Sequence, residues 1–164
     1  MFIGLDLGTS NLKGIVIDDA QNICAEASFP LNVKRPKNSW VEQDPNDWIV
    51  ATENVMASLS VQVKLDQVKA IGLSGQMHGA TILDQNGNVL RPCILWNDTR
   101  SFEEASYLDS KAIFRDLTGN IVFPGFTAPK IAWIKKHEPK IFDQIPVWIS
   151  DLSVCVDFLE DLSI

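Results

Sequence analysis

Two short apolar runs, Phe2–Leu7 and Leu12–Asp18, stand on either side of Gly8-Thr9-Ser10-Asn11. Runs of that length joined by a tight, glycine-led connection read as an antiparallel hairpin. Ile23–Phe29 follows the turn Asp18-Asp19-Ala20-Gln21-Asn22 and extends the sheet as a third antiparallel strand. A chain that opens this way needs helices later to cover its sheet. The expected class is therefore α/β, a mixed sheet with an antiparallel N-terminal hairpin flanked by helices.

The helices are legible downstream. After a polar stretch from Lys34 to Glu42 that is expected to cross the surface, Asp44-Pro45 opens one, with Asp44 as cap, Pro45 at the first helical position and Asp47 in the first turn. Trp48, Ala51, Thr52, Val55 and Leu59 recur at helical spacing and form the face that packs on a sheet. Val68–Leu73 reads as a buried strand. Ala80–Asp84 and Val89–Leu90 flank Gln85-Asn86-Gly87-Asn88, a hairpin signal, and Cys93–Leu95 makes another short strand. Ser101-x-x-Glu104 has the form of a capping box. Lys111–Leu117 is expected to end at a left-handed Gly119, and Ala128–His137 to stop before Pro139.

Composition narrows the function classes. The 164 residues carry 21 acidic and 14 basic side chains, a formal charge of −7. That balance repels phosphate backbones and anionic lipid surfaces, so neither nucleic acid nor membrane is an expected partner. Cys24, Cys93 and Cys155 are odd in number and far apart, which argues against a disulfide framework or a zinc site. No apolar stretch approaches the roughly 20 residues that span a bilayer. No basic region precedes Phe2–Leu7, and a cytoplasmic location is expected.

Three clusters carry chemistry. In the first, Asp6 shares a strand face with Phe2 and Gly4, where a carboxylate is costly unless paired or bound to a cation. Gly8 lets the backbone turn, Thr9 and Ser10 supply hydroxyls and amides, and Lys13 returns on the next strand. Such parts suit a phosphate and its Mg²⁺, or simply a self-satisfied turn. In the second, Ser74-Gly75-Gln76-Met77-His78-Gly79 brings an amide and an imidazole between glycines, groups fitted to a polyol's hydroxyls or to an ordinary strand-end turn. In the third, Trp96-Asn97-Asp98-Thr99-Arg100 gathers an aromatic face, an amide, a carboxylate and a guanidinium. Trp96 also suits a core position, and Ser101 can cap the following helix and leave Asp98 available. Neither a Walker-type phosphate loop nor a dinucleotide glycine loop occurs.

These clusters resemble the FGGY carbohydrate kinase family. Asp6-Leu7-Gly8-Thr9-Ser10 looks like the first phosphate motif of the superfamily of sugar kinases, actin and heat-shock chaperones. Ser74–Gly79 resembles the family's xylulokinases rather than its glycerol kinases. Trp96–Arg100 resembles a Trp-x-Asp-x-Arg motif, Trp40–Trp48 a Trp-x-Glu-Gln-Asp-Pro helix entry, and Thr118–Asn120 with Pro124–Lys130 a stretch near the substrate.

The resemblance implies an actin-like ATPase, ribonuclease H-like fold, incomplete here, and ATP-dependent phosphorylation of D-xylulose to its 5-phosphate with Mg²⁺. Asp6 would hold the metal and phosphate, with Gly8, Thr9, Ser10 and Lys13 on the nucleotide side. Gln76, Met77, His78, Trp96, Asn97, Asp98 and Arg100 would lie on the sugar side. The alternatives are a kinase for another ketose or polyol, or a catalytically dead sugar-binding module or dimerisation piece, with a homodimer as a possible assembly. The family pattern is expected to end after Ile145. Residues 146–164 then read as a tail outside the family, the product of a frameshift or premature stop, with the general base and the second, nucleotide-binding domain lying beyond the chain.

Overall fold

The computed structural model describes residues 1–146. In chain order they form β1 (Phe2–Leu7), β2 (Asn11–Ile17), β3 (Ile23–Pro30), β4 (Glu42–Gln43), α1 (Pro45–Ser60), a 3-10 turn (Leu65–Gln67), β5 (Ala70–Gly75), β6 (Cys93–Ile94), α2 (Phe102–Asp109), α3 (Ala112–Thr118), α4 (Thr127–His137) and α5 (Pro139–Phe142). From residue 147 onward, the tail expected after Ile145 lies outside the described residues. The chain divides into two compact units. Of the described residues, one contains Met1–Val33 and Pro45–Gln76, the other Lys34–Asp44 and residues 77–146.

The first unit is a four-stranded sheet in the order β3-β2-β1-β5. β1 pairs antiparallel with β2 and parallel with β5, so the sheet is mixed as expected. Strand alternation sends Ile3, Leu5, Leu7, Leu12 and Val16 to one buried face. α1 buries Trp48, Ala51, Thr52, Val55 and Leu59, the positions its periodicity singled out. Its approach to β2 depends on Gly14, because a Cβ there would lie 2.5 Å from Val55 Cγ1 and 3.1 Å from Leu59 Cδ1. β5 departs from expectation. All six of its residues are exposed; among the described residues it is an edge strand, beside β1 alone.

In the second unit β4 and β6 pair antiparallel. The polar stretch ending at Glu42 is not all surface. Lys34 and Glu42 exchange backbone hydrogen bonds of 2.8 and 2.9 Å, and Val41 and Glu42 are buried. The Asn-Gly hairpin forms as a bridge between Leu83 and Val89 with Gly87 left-handed at φ 79°. Ala80, Ile82, Ile94, Trp133 and Ile134 make the core, and Trp40 meets Trp133 edge-on at 5.3 Å.

The capping box is absent. Ser101 sits at the N-cap of α2, but its hydroxyl donates to the Pro124 carbonyl instead, and Glu104 pairs with Lys136 at 3.1 Å. Gly119 ends α3 at φ 67° as expected. Pro139, read as a stop, also starts the short α5, since its fixed φ suits a first helical position.

Candidate functional site

The register of β1 places Asp6 between Lys13 on β2 and Ser74 on β5, with Ser28 beyond Lys13 on β3. All four side chains lie on the face opposite Leu5 and Leu7, and all are exposed. The expectation of a costly carboxylate is thereby corrected, because Asp6 stays in water on a face that α1 does not cover. Among the described residues it makes no ion pair, Lys13 included.

Beyond Asp6 the chain turns tightly. The Gly8 N–H donates to the Asn11 carbonyl over 3.0 Å, and a Cβ on Gly8 would sit 3.0 Å from that oxygen. The Ser10 carbonyl accepts the Leu31 N–H at 2.8 Å. Thr9 Oγ1 donates to Gln76 Oε1 at 3.0 Å, and the Gln76 N–H donates to the Leu7 carbonyl at 2.8 Å. Gln76 is buried, so it belongs to the wall of the Gly8–Ser10 turn rather than to an open surface.

An exposed carboxylate beside a turn of amides and hydroxyls, with an exposed ammonium one strand away, fits a hydrated Mg²⁺ and the phosphates it bridges. The fit is of a limited kind. No group of three or more His, Cys, Asp or Glu side chains that could hold a metal ion exists among the described residues, and Asp6 is the carboxylate beside this turn that would hold the ion.

In the second unit Met77 and His78 are exposed, and His78 is left-handed at φ 62°. Its ring lies 4.9 Å from that of Phe126. Partial desolvation of its ring first, and then the Lys130 charge, hold its imidazole below the usual histidine pKa. Lys130 has no exposed surface. Its ammonium donates to the His78 carbonyl at 2.6 Å and to the Gly125 carbonyl at 2.7 Å. Gly125 in turn presses on Trp96, whose carbonyl would lie 2.6 Å from any Cβ at that position. Trp96 itself is 44% exposed, and Asn97 Oδ1 is an enclosed acceptor without a hydrogen-bond partner among the described residues.

Asp98 and Arg100 are placed differently. Both side chains have no exposed surface. Asp98 accepts the Val41 N–H at 2.6 Å and the Arg100 N–H at 2.9 Å, and it pairs with the guanidinium at 2.7 Å. Arg100 also meets Glu42 at 2.7 Å and stacks 3.8 Å from the Trp40 ring. Asp98 is therefore not left available, as the capping argument expected. It ends a chain of ion pairs that runs from Arg100 through Glu42 to Arg91 and Glu138. Sequence reasoning missed that network, because Arg91 and Glu42 are 49 residues apart and carry no spacing signal.

The model of the FGGY family of carbohydrate kinases, N-terminal domain, matches residues 1–156. The chain belongs to the FGGY family. It is 49% identical over 146 residues to the xylulose kinase of Escherichia coli (strain K12), covering 88% of this chain and 30% of that protein. The corresponding identity to the Klebsiella pneumoniae xylulose kinase is 47%, with the same coverage. Among solved structures, a xyloylose kinase from Brucella ovis superposes with a TM-score of 0.85 at 53% identity, over 87% of this chain and 30% of that one. A xylulose kinase from Rhodospirillum rubrum gives 0.82 at 32% identity with the same coverage. The chain thus spans about 30% of the length of the relatives it matches, and its fold is that of the actin-like ATPases. No described helix is long and apolar enough to cross a membrane.

Proposed function

We propose that the protein phosphorylates D-xylulose with ATP and Mg²⁺, and that these residues supply its sugar-recognition groups and its first phosphate turn. The observation that carries this reading is the segment Gly75–Gly79, which ends β5 and presents Met77 and His78 to solvent in a chain whose relatives are named xylulose kinases.

In the first unit, Asp6 holds the metal and its phosphate oxygens, the Gly8–Ser10 amides and hydroxyls cradle phosphate, and Lys13 adds positive charge. In the second, Met77, His78, Trp96 and Asn97 contact sugar, while enclosed Asp98 and Arg100 hold the Trp96–Asn97 segment in place. ATP supplies the transferred phosphoryl group. Transfer also needs a base at the accepting hydroxyl, and no residue assigned here has that role. By family resemblance it lies in the part of the relatives that this chain does not match. On this reading the residues of this chain supply sugar recognition, and the protein works in the cytoplasm.

A chimaera tests the assignment. Residues 1–145 replace the matching segment of the Escherichia coli xylulose kinase, and ADP release is followed with D-xylulose, L-ribulose and glycerol. The reading predicts turnover within the ordinary kinase range of about 1–100 s⁻¹ on D-xylulose. A folded chimaera that prefers glycerol, or uses neither ketose, contradicts it.

A further inference from the structure

Lys130 is fully enclosed, with no exposed surface. Lysine is almost never so enclosed, because the ammonium must give up water. Its place in the sequence adds a second cost. It lies in the first turn of α4 (Thr127–His137), where the helix dipole disfavours a cation.

The carbonyls of His78 and Gly125, at 2.6 and 2.7 Å, offset these penalties with short charge-assisted bonds. Side chains on a helix lean toward its N-terminus, so the lysine stem reaches back to both loops. One of those carbonyls belongs to a residue in the left-handed region, His78 at φ 62°, a conformation uncommon for residues other than glycine although histidine visits it more often than most. The other belongs to Gly125, which lies against the Trp96 backbone too closely for a Cβ.

We infer that Lys130 is a positioning residue whose buried ammonium pins the His78 and Gly125 carbonyls, fixing the left-handed turn that presents Met77 and His78 and the loop that lies on Trp96. The consequence for sugar affinity rests on the function proposed above. The conformational consequence does not.

The test uses the 164-residue chain and two variants. Lys130→Met keeps the stem and removes the charge, and Lys130→Ala leaves room for an added amine. The carbon chemical shifts of His78 report its backbone conformation, and calorimetric titration reports D-xylulose affinity. In folded Lys130→Met the left-handed signature of His78 is expected to disappear, and D-xylulose to bind at least about tenfold more weakly, the value of a charged hydrogen bond. Propylammonium is expected to restore both in Lys130→Ala, and propanol to restore neither.

An unchanged His78 signature in folded Lys130→Met overturns the inference, as does equal rescue by propanol. If the wild-type chain ignores D-xylulose, the proposed function fails while the His78 signature still decides the role of Lys130. If neither variant folds, the wild type decides. The Lys130 ammonium protons are expected to exchange slowly enough to be seen in water, and fast exchange overturns the pinning.

Discussion

The Thr9 hydroxyl donates to the Gln76 side-chain carbonyl at 3.0 Å, tying the β1–β2 turn to the end of β5 across 67 residues of chain. Two segments that read as separate signals, one for phosphate and one for sugar, thus share a hydrogen bond inside the first unit. Thr9→Val keeps the shape and removes the donor, leaving an amide oxygen short of one partner. The expected loss of stability is about 1 kcal/mol, read by urea denaturation at unchanged m-value. A neutral result contradicts the tie.

The two candidate aspartates are expected to behave oppositely. Asp98 and Arg100 have fully buried side chains 2.7 Å apart, so Asp98→Asn removes one partner of an enclosed pair and costs about 3 kcal/mol. Asp6 is exposed and unpaired among the described residues, so Asp6→Asn changes stability by less than about 0.5 kcal/mol. Under the proposed function its effect is expected in Mg²⁺-dependent nucleotide binding instead. Equal denaturation midpoints for the two variants would refute the placement.

Close packing of α1 on β2 gives a third test. A Cβ at Gly14 meets Val55 Cγ1 at 2.5 Å, so Gly14→Ala forces the helix outward and costs about 1–3 kcal/mol. The companion change Val55→Ala removes the nearest obstacle, and the double variant is expected to lose less than the sum of the two single losses. Strict additivity would place the helix elsewhere.

The sign of the His78 shift sets a pH dependence. Partial desolvation of the ring, and then the Lys130 charge, lower its pKa, so the unfolded chain takes up the proton first as pH falls. Between the ordinary value of about 6.5 and the lower folded value, stability decreases with falling pH, and below the folded value this loss levels off. Proton NMR of the His78 ring is expected to show a midpoint below about 6.5. His78→Asn, whose side chain tolerates the left-handed region, is expected to lack this share of the acid sensitivity. A His78 midpoint at or above the ordinary value contradicts the description.

Much of this fold was legible in the sequence because it rests on local signals. Alternation placed Ile3, Leu5 and Leu7 on one face of β1, and helical spacing placed Trp48 through Leu59 on one face of α1. Gly119 closed α3 in the left-handed conformation its position demands.

What escaped was non-local. β5 looks like a buried strand by composition, yet among the described residues it is an exposed edge strand, a placement no window of sequence contains. Ser101 and Glu104 fit a capping box, but each found a tertiary partner, Pro124 and Lys136 respectively. The clusters at Asp6 and His78 could be found from residue types, whereas the enclosure of Asp98 and Arg100 depended on Val41, Glu42 and Trp40, more than fifty residues earlier. One signal was available and unused, a lysine in the first turn of a helix, at Lys130.

The central claim is that these residues recognise a ketose, and titration calorimetry of the 164-residue chain tests it most directly. D-xylulose is expected to give a saturable heat that His78→Ala abolishes, and glycerol to give none. Glycerol binding as well as D-xylulose, or a D-xylulose heat untouched by His78→Ala, would contradict the account.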